Sequence, residues 1–554
     1  IEPNRIIPII DDFHFAKHKE KHINSLEKYP MHLIIVDDIF SLNFRDESLL
    51  ESYNKFRIKE FGPVLRNKLI EKWIGLTESD PILDKNKLYK ELDNTTDLVN
   101  STLGKVFSSG IMPSYPFFIL TILSTHETFE KPLDQEITSQ GYCYQALIYL
   151  YLRRNGVKND EVDTYINFLT EFAYFLFSNL KVELNEMEFN KFMEGYLIKF
   201  NLPVKPDVLL RNLQQTRIIT IDSFGNFAFG YAYLYFFFVG RYLAEHMSDN
   251  KKTIDRILNN LHVNSNAYIA VFISHHSRNS YVLDEIILNS MCLFEDFAPT
   301  TLSKEELSFF DDKLDIIVKA ALPNKTSSPE REREMRLKAQ EEIESLKEND
   351  LGEEASTPKE DDPIFTLAKD LRRSVKTVEV MGSILKNRAG SLEKVMLENV
   401  FLEAMNVHLK ILSSFFEIIK DENQQSDIVD LLSLRIEEVI KDKPKMPDHE
   451  QLVKISKSLF WNMNFSVTYG FINKIIHSLG SDKLYSIIES VCDRERTPAA
   501  FLVKHGIFLW YYKNLQIDEI TNRINDDGFS DTAKRIMRFM IANYCSLHPV
   551  SYKD

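Results

Sequence analysis

The sequence is poor in the residues on which extracellular and membrane-bound folds depend. It has four cysteines in 554 residues, without a CxxC pair or a metal-type spacing, which is typical of reduced intracellular thiols. Its most apolar run, 227–240, is shorter than the roughly 20 residues that cross a bilayer. No basic segment followed by an apolar stretch opens the chain, as a secretory signal would require. We therefore expect a cytoplasmic protein without a membrane partner.

The chain has no excess of positive charge, and glycine and proline are scarce. The net charge is −15, which argues against nonspecific binding of nucleic acid by the whole surface. The chain has only 17 glycines and 19 prolines, whereas Leu, Ile, Phe, Glu and Lys are plentiful, and this balance favours helices. With 44% hydrophobic and 27% charged residues, the composition is that of a folded protein of about three or four domains.

The sequence lacks the signatures of several enzyme classes. It contains no nucleophile elbow, no HExxH pair and no Gly-rich dinucleotide loop. A phosphate-binding GxxxxGK[ST] loop is absent as well. The nearest imitation, "STLGKVFSSG" at 101–110, has Val106 where Ser or Thr is needed and Val99 where the first glycine belongs, so we reject it. These residues alone are therefore not expected to hydrolyse ATP.

Two apolar segments near the start each end in a pair of aspartates. "RIIPII" precedes Asp11 and Asp12, and "MHLIIV" precedes Asp37 and Asp38. The stretch between them is polar, with apolar residues at helical spacing. Strand, helix and strand in this order predict one βαβ unit, whose parallel strands end at the same edge of the sheet. Open α/β sheets bind ligands at that edge.

The first aspartate pair has two interpretations. In a nucleotide hydrolase, Asp11 would hold Mg²⁺ through water and Asp12 would position the attacking water. Alternatively, the pair caps the following helix, since Asp is a favoured N-cap residue. Pro8 argues against an interior strand, because proline lacks the ladder donor and favours edge strands or strand starts. The residue pattern alone leaves both interpretations open.

The second aspartate pair allows the same capping role or one of two roles at a nucleotide. If Asp37 were the magnesium residue, a phosphate loop would have to lie within residues 1–36, and the sequence has none there. The more economical assignment makes residues 11–12 the end of the acidic strand. Residues 37–38 then end the neighbouring sensor strand, beside the γ-phosphate.

Two residues further along are weaker candidates. Arg66 lies in a segment whose apolar helix side carries Leu65, Leu69 and Trp73. It is either a solvated cation or a phosphate-sensing arginine. Pro116 comes directly before the apolar "FFILTIL", where proline is favoured as a helix start.

The rest of the chain is predicted to be helical, with one exception. Residues 188–247 predict two helices, a β-hairpin around Gly225 and Asn226, and a third helix, which is a winged-helix pattern. The third helix is aromatic rather than basic, which argues against DNA binding. Residues 325–362 contain 20 charged residues among 38. They predict a charged linker, and their middle predicts a solvated single helix.

Taken in order, these segments resemble the signal-transduction NTPases with numerous domains, the STAND class, on its NACHT-like side and of the bacterial antiphage-defence type. "RIIPIIDDFH" resembles the Walker B strand, and "HLIIVDDIFSL" resembles the sensor strand that follows it. "MPSYPFFILTIL" is similar to the start of the small helical domain, and "NFAFGYAYLYFFFVGRYLAEH" to the winged-helix segment. "NAYIAVFISHHSRNSYVLDEIILN" and "MGSILKNRAGSLEK" are similar to the C-terminal helical region of bacterial members.

The resemblance implies a function and a set of site residues. ATP and Mg²⁺ would bind at Asp11, Asp12 and Asp38, with Asp11 as the metal residue. Arg66 would lie nearby, and Pro116 would pack near the adenine. Sensing of a phage or other foreign protein would lead to homo-oligomerisation and activate an N-terminal effector. Neither such an effector nor the Walker A loop is present in these residues, so the parent protein would be the ATPase.

We thus expect a mainly α protein with a partial α/β P-loop NTPase core at its N-terminus, then a helical domain, a winged helix and a C-terminal helical array. The predicted segments are 1–76 for the partial core, 77–135 for the small helical domain, 136–248 for the winged-helix domain, 249–324 for a helical region, 325–362 for the linker and 363–554 for the C-terminal sensor or scaffold region. The alternative is a non-enzymatic helical scaffold or receptor module for protein–protein interaction. The first hypothesis places Asp11 and Asp38 at one sheet edge facing Pro116, whereas the second makes them helix caps.

Overall fold

The computed structural model is mainly helical, which confirms the predicted fold class. It describes residues 2, 5–11, 13, 16, 18–36, 53–77, 85–104, 112–128, 139–222, 224–277, 279–313, 328–350, 363–440 and 447–549. The chain divides into two compact units. The first unit is Ile1–Glu60 with Gln145–Tyr242, and the second is Phe61–Tyr144 with Leu243–Asp554. Within the described ranges, no helix combines the length and the apolar character needed to cross a membrane.

The helices and strands are numbered in chain order. The helices are α1 Lys19–Leu26, α2 Pro63–Thr77, α3 Lys85–Thr102, α4 Pro116–Thr128, α5 Ser139–Arg154, α6 Val162–Ser178, α7 Glu186–Lys199, α8 Pro206–Gln215, α9 Ala232–Glu245, α10 Lys251–Asn259, α11 Asn264–His276, α12 Tyr281–Met291, α13 Ser308–Asp311, α14 Pro329–Asp350, α15 Pro363–Arg388, α16 Lys394–Lys420, α17 Glu422–Ile440, α18 His449–Leu479, α19 Tyr485–Glu495, α20 Pro498–Ile507, α21 Ile517–Ile524 and α22 Asp531–Leu547. A π-helical turn, Phe508–Tyr512, continues α20. The strands are β1 Ile9–Ile10, β2 Leu33–Ile34, β3 Glu183–Leu184, β4 Ile219–Ile221 and β5 Phe227–Phe229.

The predicted βαβ unit is present at the N-terminus. β1 and β2 pair in parallel, with Ile9 opposite Leu33 and Ile10 opposite Ile34, and α1 lies between them in the chain. Pro8 stands immediately before β1, and its carbonyl accepts a hydrogen bond from the Leu33 amide at 2.9 Å. Proline is tolerated at a strand start because only its carbonyl is needed there. This position accounts for Pro8.

The two faces of this small sheet differ in their packing. One face packs around the buried ring of Phe13, against Ile10, Ala16, Ile23, Ile34, Val36 and Tyr53. The other face carries Ile7, Ile9, Leu33 and Ile35, which are between 44% and 64% exposed. Parallel sheets are normally covered on both faces. Among the described residues, this pair therefore has a bare apolar face.

The predicted order of helix, helix, hairpin and helix is present in the first unit. α7 and α8 precede the β4–β5 hairpin, and α9 follows it. β3 adds to the hairpin, giving an antiparallel sheet of order β3-β5-β4. In the turn, the Asp222 carboxylate accepts hydrogen bonds from the amides of Phe224 and Asn226. Gly225 has a φ of 85°, a conformation that glycine adopts without strain.

Aromatic rings form the core that joins this sheet to its helices. Phe172 of α6 lies 5.7 Å from Phe189 of α7 and 5.3 Å from Phe229 of β5, measured between ring centroids. Phe189 also stacks on Phe227 at 4.0 Å. Such pairs bury large areas and add specific ring–ring contacts. The aromatic excess of this segment is therefore explained by packing.

The second unit is a helical array arranged around α16. This helix packs against α12, α15, α17, α18 and α19. Its buried face repeats at helical spacing and includes Phe401, Met405, His408, Leu412 and Phe416. A helix with neighbours on several sides needs a wide apolar face, which the sequence of α16 provides.

The segments 266–289 and 381–394 contact each other in this array. Arg388, at the end of α15, donates to the carbonyl oxygens of Ser274 and Ser277 at 2.6 and 2.8 Å, and to that of His275 at 3.3 Å. These carbonyls end α11. The last carbonyls of a helix have no partner within the helix and attract a cation. Arg388 therefore caps α11.

Gly382 allows α15 and α18 to approach closely. A Cβ atom built on Gly382 would lie 2.2 Å from the carbonyl oxygen of Ser478, which is backbone and cannot rotate away. The two helices can keep this separation only with glycine at position 382.

Gly382→Ala is expected to lower the free energy of unfolding by about 1–3 kcal/mol, because overpacking forces the two backbones apart. Gly470→Ala is the matched control, since a Cβ there meets nothing within 4 Å. Because Gly470 lies in the interior of α18, its replacement by alanine should stabilise the protein by about 0.5–1 kcal/mol. Denaturant unfolding of both variants measures the two opposite shifts. Shifts of the same sign would show that the helices do not approach as described.

Candidate functional site

Asp11 lies at the carboxyl end of β1 and is exposed. The amide of Phe13 donates to the carbonyl of Ile35 at 3.0 Å, so the chain segments that leave β1 and β2 lie side by side at one edge of the sheet. This is the edge at which the sequence predicted a ligand. Asp12, Asp37 and Asp38 lie outside the described residues.

The second interpretation of Asp11 was that it caps the helix after β1. The N-cap position of α1 is occupied by His18, which has a left-handed conformation and makes no side-chain capping hydrogen bond. Asp11 is therefore not the cap of α1. The roles of Asp11 and Asp12 at magnesium and water, and that of Asp38 as a sensor residue, stay predictions.

Potential metal ligands are not clustered in the part of the chain that the structure describes. No group of three or more His, Cys, Asp or Glu side chains there could hold a metal ion. Asp12 and Asp38 of the predicted magnesium site lie outside those residues.

Pro116 begins α4, as its sequence position predicted. Ser114, two residues earlier, is buried, and its carbonyl accepts a hydrogen bond from the amide of Phe61 at 3.0 Å. This bond fixes the segment that enters α4 against the segment that enters α2. Pro116 belongs to the second unit, whereas Asp11 belongs to the first. A position of Pro116 near an adenine stays a prediction.

Arg66 is buried and paired, so the prediction of a solvated cation is wrong. Only 3% of the residue is exposed. Its guanidinium donates to both carboxylate oxygens of Glu344, at 2.7 and 3.1 Å, and to the carbonyl of Phe61 at 3.0 Å. It also reaches the hydroxyl of Ser114 at 3.5 Å. The structure thus brings Arg66 close to the segment before Pro116, and a phosphate at Arg66 would have to displace Glu344.

The partner of Arg66 lies on α14, the helix predicted to be solvated. The helix is present, but it packs against α2 and α22. Among the described side chains, three ion pairs join it to other helices. Glu330 pairs with Lys85, Arg333 with Asp93, and Glu344 with Arg66. The prediction that this helix is solvated on all sides is therefore wrong.

Asp93 of α3 is the most densely paired carboxylate among the described residues. It accepts hydrogen bonds from Arg333, from Lys513 at 2.8 Å and from His548 at 3.0 Å. Burial disfavours the charged form, but the His548 hydrogen bond and the charges of Lys513 and Arg333 outweigh this effect. They hold the pKa of Asp93 well below its ordinary value. Burial lowers the pKa of His548, and the Asp93 carboxylate opposes that shift.

Sequence reasoning did not single out Asp93, although a signal exists. α3 carries a row of small polar residues that flanks its buried Tyr89, Leu92 and Val99. This polar stripe contains Asp93, Asn94, Thr96, Asp97 and Asn100. Its residue types are typical of a polar cluster, but its partners are too far away in the chain to be found from spacing.

One comparison with known proteins gives a match. Residues 183–239 match the model of the family described as novel STAND NTPase 4. The matched segment begins at β3, includes α7, α8, β4 and β5, and ends within α9. It supports a STAND-type NTPase module built on the aromatic core described above. Neither the curated proteins nor the solved structures yield a significant match to the chain.

Glu344→Gln is expected to lower the free energy of unfolding by about 2 kcal/mol, because it removes a charge-assisted pair and leaves Arg66 buried without its counter-charge. Glu342→Gln on the same helix is the control. Glu342 is exposed, and its substitution should change stability by less than about 0.5 kcal/mol. Thermal and denaturant unfolding compare the two variants. Equal stabilities would show that the Arg66 pair does not anchor α14.

Asp93→Asn is expected to lower the free energy of unfolding by about 3 kcal/mol at neutral pH, since it leaves two cations without their shared partner. The folded pKa of Asp93 is depressed, so its contribution is present above its unfolded pKa, near 4, and is lost as the pH falls further. The variant should therefore lose less stability than the wild type below about pH 4. The control, Asp427→Asn, alters an exposed residue on α17. Urea unfolding at a series of pH values measures the free energy of unfolding of each protein. A difference between Asp93→Asn and wild type that stayed constant with pH would disprove the prediction.

Proposed function

We propose that the chain is the regulatory part of a STAND-type, ATP-dependent signalling NTPase in the cytoplasm, acting in bacterial antiphage immunity. The observation that carries the proposal is the STAND NTPase family match over residues 183–239. In this function, the C-terminal helical array senses a phage or other foreign protein. ATP binding then favours homo-oligomerisation, which activates an N-terminal effector.

The geometry of β1 and β2 supports a nucleotide site at the N-terminus. A parallel pair with a bare apolar face fits a larger α/β sheet better than an isolated ribbon. Asp11 lies at the carboxyl edge of this pair, where such sheets bind ligands. In the proposed site, Asp11 holds Mg²⁺ through water, Asp12 positions the attacking water, and Asp38 ends the sensor strand. A Mg²⁺ ion held there would supply positive charge against the phosphates of the nucleotide.

The segment β3 to α9 is proposed to be the winged helix of the switch. Its third helix buries Phe237 and Phe238 completely, so these aromatic side chains serve packing and are not offered to DNA. A nucleotide bound between an α/β core and a winged helix interacts with both only in the closed arrangement. It therefore shifts a two-state equilibrium towards closure. Such a switch needs no DNA-binding surface.

The non-enzymatic scaffold remains a second candidate, and one observation favours it. Arg66, the proposed phosphate-sensing arginine, already has both oxygens of Glu344 as partners. A buried arginine paired in this way can serve structure alone. In that case the chain would bind a partner protein without binding ATP.

The proposal is tested in the parent protein, which in this function carries the phosphate-binding loop as well as these residues. Asp12→Asn should slow ATP hydrolysis by about 100-fold or more while ATP still binds, since it removes the group that positions water. Asp11→Ala should remove the Mg²⁺ dependence of ATP binding. Glu20→Gln is the matched control, an exposed carboxylate on α1, and should leave both activities unchanged.

Steady-state hydrolysis and equilibrium binding of ATP provide the two measurements. Full hydrolysis by the Asp12→Asn protein would rule out the assignment of this strand. Absence of ATP binding by the wild-type protein would favour the scaffold function instead.

A further inference from the structure

A polar cavity of about 160 Å³ lies within the second unit, where α3, α14 and the π-helical turn meet. Its lining includes Asp97 and Asn100 of α3, Arg336 and Gln340 of α14, and Trp510 of the turn. For comparison, a cavity of roughly 150 Å³ holds a benzene molecule. The space is therefore sufficient for a small metabolite or for the polar end of a larger one.

Arg336 contacts an aromatic side chain of the cavity. Its guanidinium lies over the ring of Trp510, 5.2 Å from the centroid, where the face of the ring attracts a cation. Among the described residues it has no hydrogen-bond partner. A guanidinium has five N–H donors and binds oxyanions with two parallel hydrogen bonds. Arg336 thus contacts Trp510 while its hydrogen bonds remain available to a ligand.

Other polar groups of the cavity are also unpaired. Thr96 Oγ1 and Asn100 Oδ1 are buried and have no hydrogen-bond partner within the described part of the chain. A buried polar atom without a partner costs about 1–3 kcal/mol, so a polar ligand here would relieve a cost that the free protein bears. The Thr96 hydroxyl can donate, and rotation of the Asn100 amide presents its NH₂ group.

The charge of the cavity favours an anion. Arg333, Arg336 and Lys513 supply three positive charges to the lining, against the carboxylates of Asp93 and Asp97. Asp97 is exposed to solvent, and solvent screens its negative charge more strongly than that of a buried carboxylate. The lining is therefore net positive.

We propose that this cavity is a binding site for a phosphoryl group, either inorganic phosphate or a small phosphate monoester, with Arg336 as its principal contact. A phosphoryl group presents three or more acceptor oxygens, which suits the several unused donors better than the two oxygens of a carboxylate. The site lies in the second unit and shares no residue with the proposed ATP site.

The test uses the whole 554-residue chain at constant ionic strength. Inorganic phosphate and ribose 5-phosphate are the probes, and ribose and sodium chloride are the controls. Calorimetric titration and thermal unfolding are expected to detect binding of one or both phosphates, with a rise in melting temperature, and no binding of ribose. Preference for one probe distinguishes a free phosphate from a phosphate monoester.

Arg336→Gln is expected to weaken phosphate binding at least tenfold. Arg331→Gln, an exposed arginine on the same helix, should leave the affinity unchanged. Asp97→Asn should tighten binding several-fold, because it removes negative charge next to the anion. If Arg336→Gln fails to fold, Asn100→Ala takes its place and should also weaken binding.

Asp11→Ala separates this site from the proposed nucleotide site and should leave phosphate binding unchanged. Two results would overturn the proposal. One is the absence of a binding signal with either phosphate, which would indicate a cavity that holds only water. The other is an equal affinity of the Arg336→Gln and wild-type proteins, which would place the phosphate elsewhere.

Discussion

The arrangement of the second unit depends on one carboxylate, that of Asp93. Arg333, Lys513 and His548 come from widely separated parts of the chain, and all three donate to its two oxygens. Three donors on one partly buried anion offset its desolvation better than a single partner could. Arg333 lies on α14, Lys513 directly follows the π-helical turn and His548 directly follows α22. The position of Asp93 therefore determines how α3, α14 and the C-terminal helices meet.

The same carboxylate explains how a helix as polar as α14 is held in place. Its apolar residues are too few to form a wide buried face, so hydrophobic packing alone would locate it poorly. Glu330, Arg333 and Glu344 lie on one side of the helix and pair with Lys85, Asp93 and Arg66. Ion pairs of this kind add little net stability when exposed, but paired and partly buried charges penalise every other arrangement. The position of α14 is thus determined by which charged residues on the neighbouring helices its own charged residues can pair with.

Local features of the structure could be predicted from the sequence, and long-range pairing could not. The βαβ unit, the helix start at Pro116 and the turn at Gly225 follow from residues that are neighbours in the chain, because strand periodicity and backbone preferences act locally. The pairing of Arg66 with Glu344 joins residues on α2 and α14. A charge pattern shows that a side chain needs a partner or water, but it does not show which partner lies near in space.

The candidate site shows the same limit. The sequence identified Asp11 because an acidic residue directly after an apolar strand is a local pattern, and the parallel pairing of β1 and β2 placed it at the predicted edge. The polar stripe of α3 does not distinguish Asp93 from its polar neighbours, and Arg336 is one of several charged residues of α14. The feature that distinguishes both residues is the set of groups around them in the folded chain.

The position of α14 also links two functional candidates physically. Arg336 faces the cavity from the same helix on which Glu344 holds Arg66. A ligand that binds Arg336 while α14 packs against α2 and α22 stabilises this packed position by mass action. It thereby favours the Arg66–Glu344 pair. If a phosphate bound Arg66, it would have to break this pair and would disfavour the packed position of α14. By linkage, each ligand would then weaken the binding of the other to the same extent. The two ligands would therefore compete through α14 without sharing a residue.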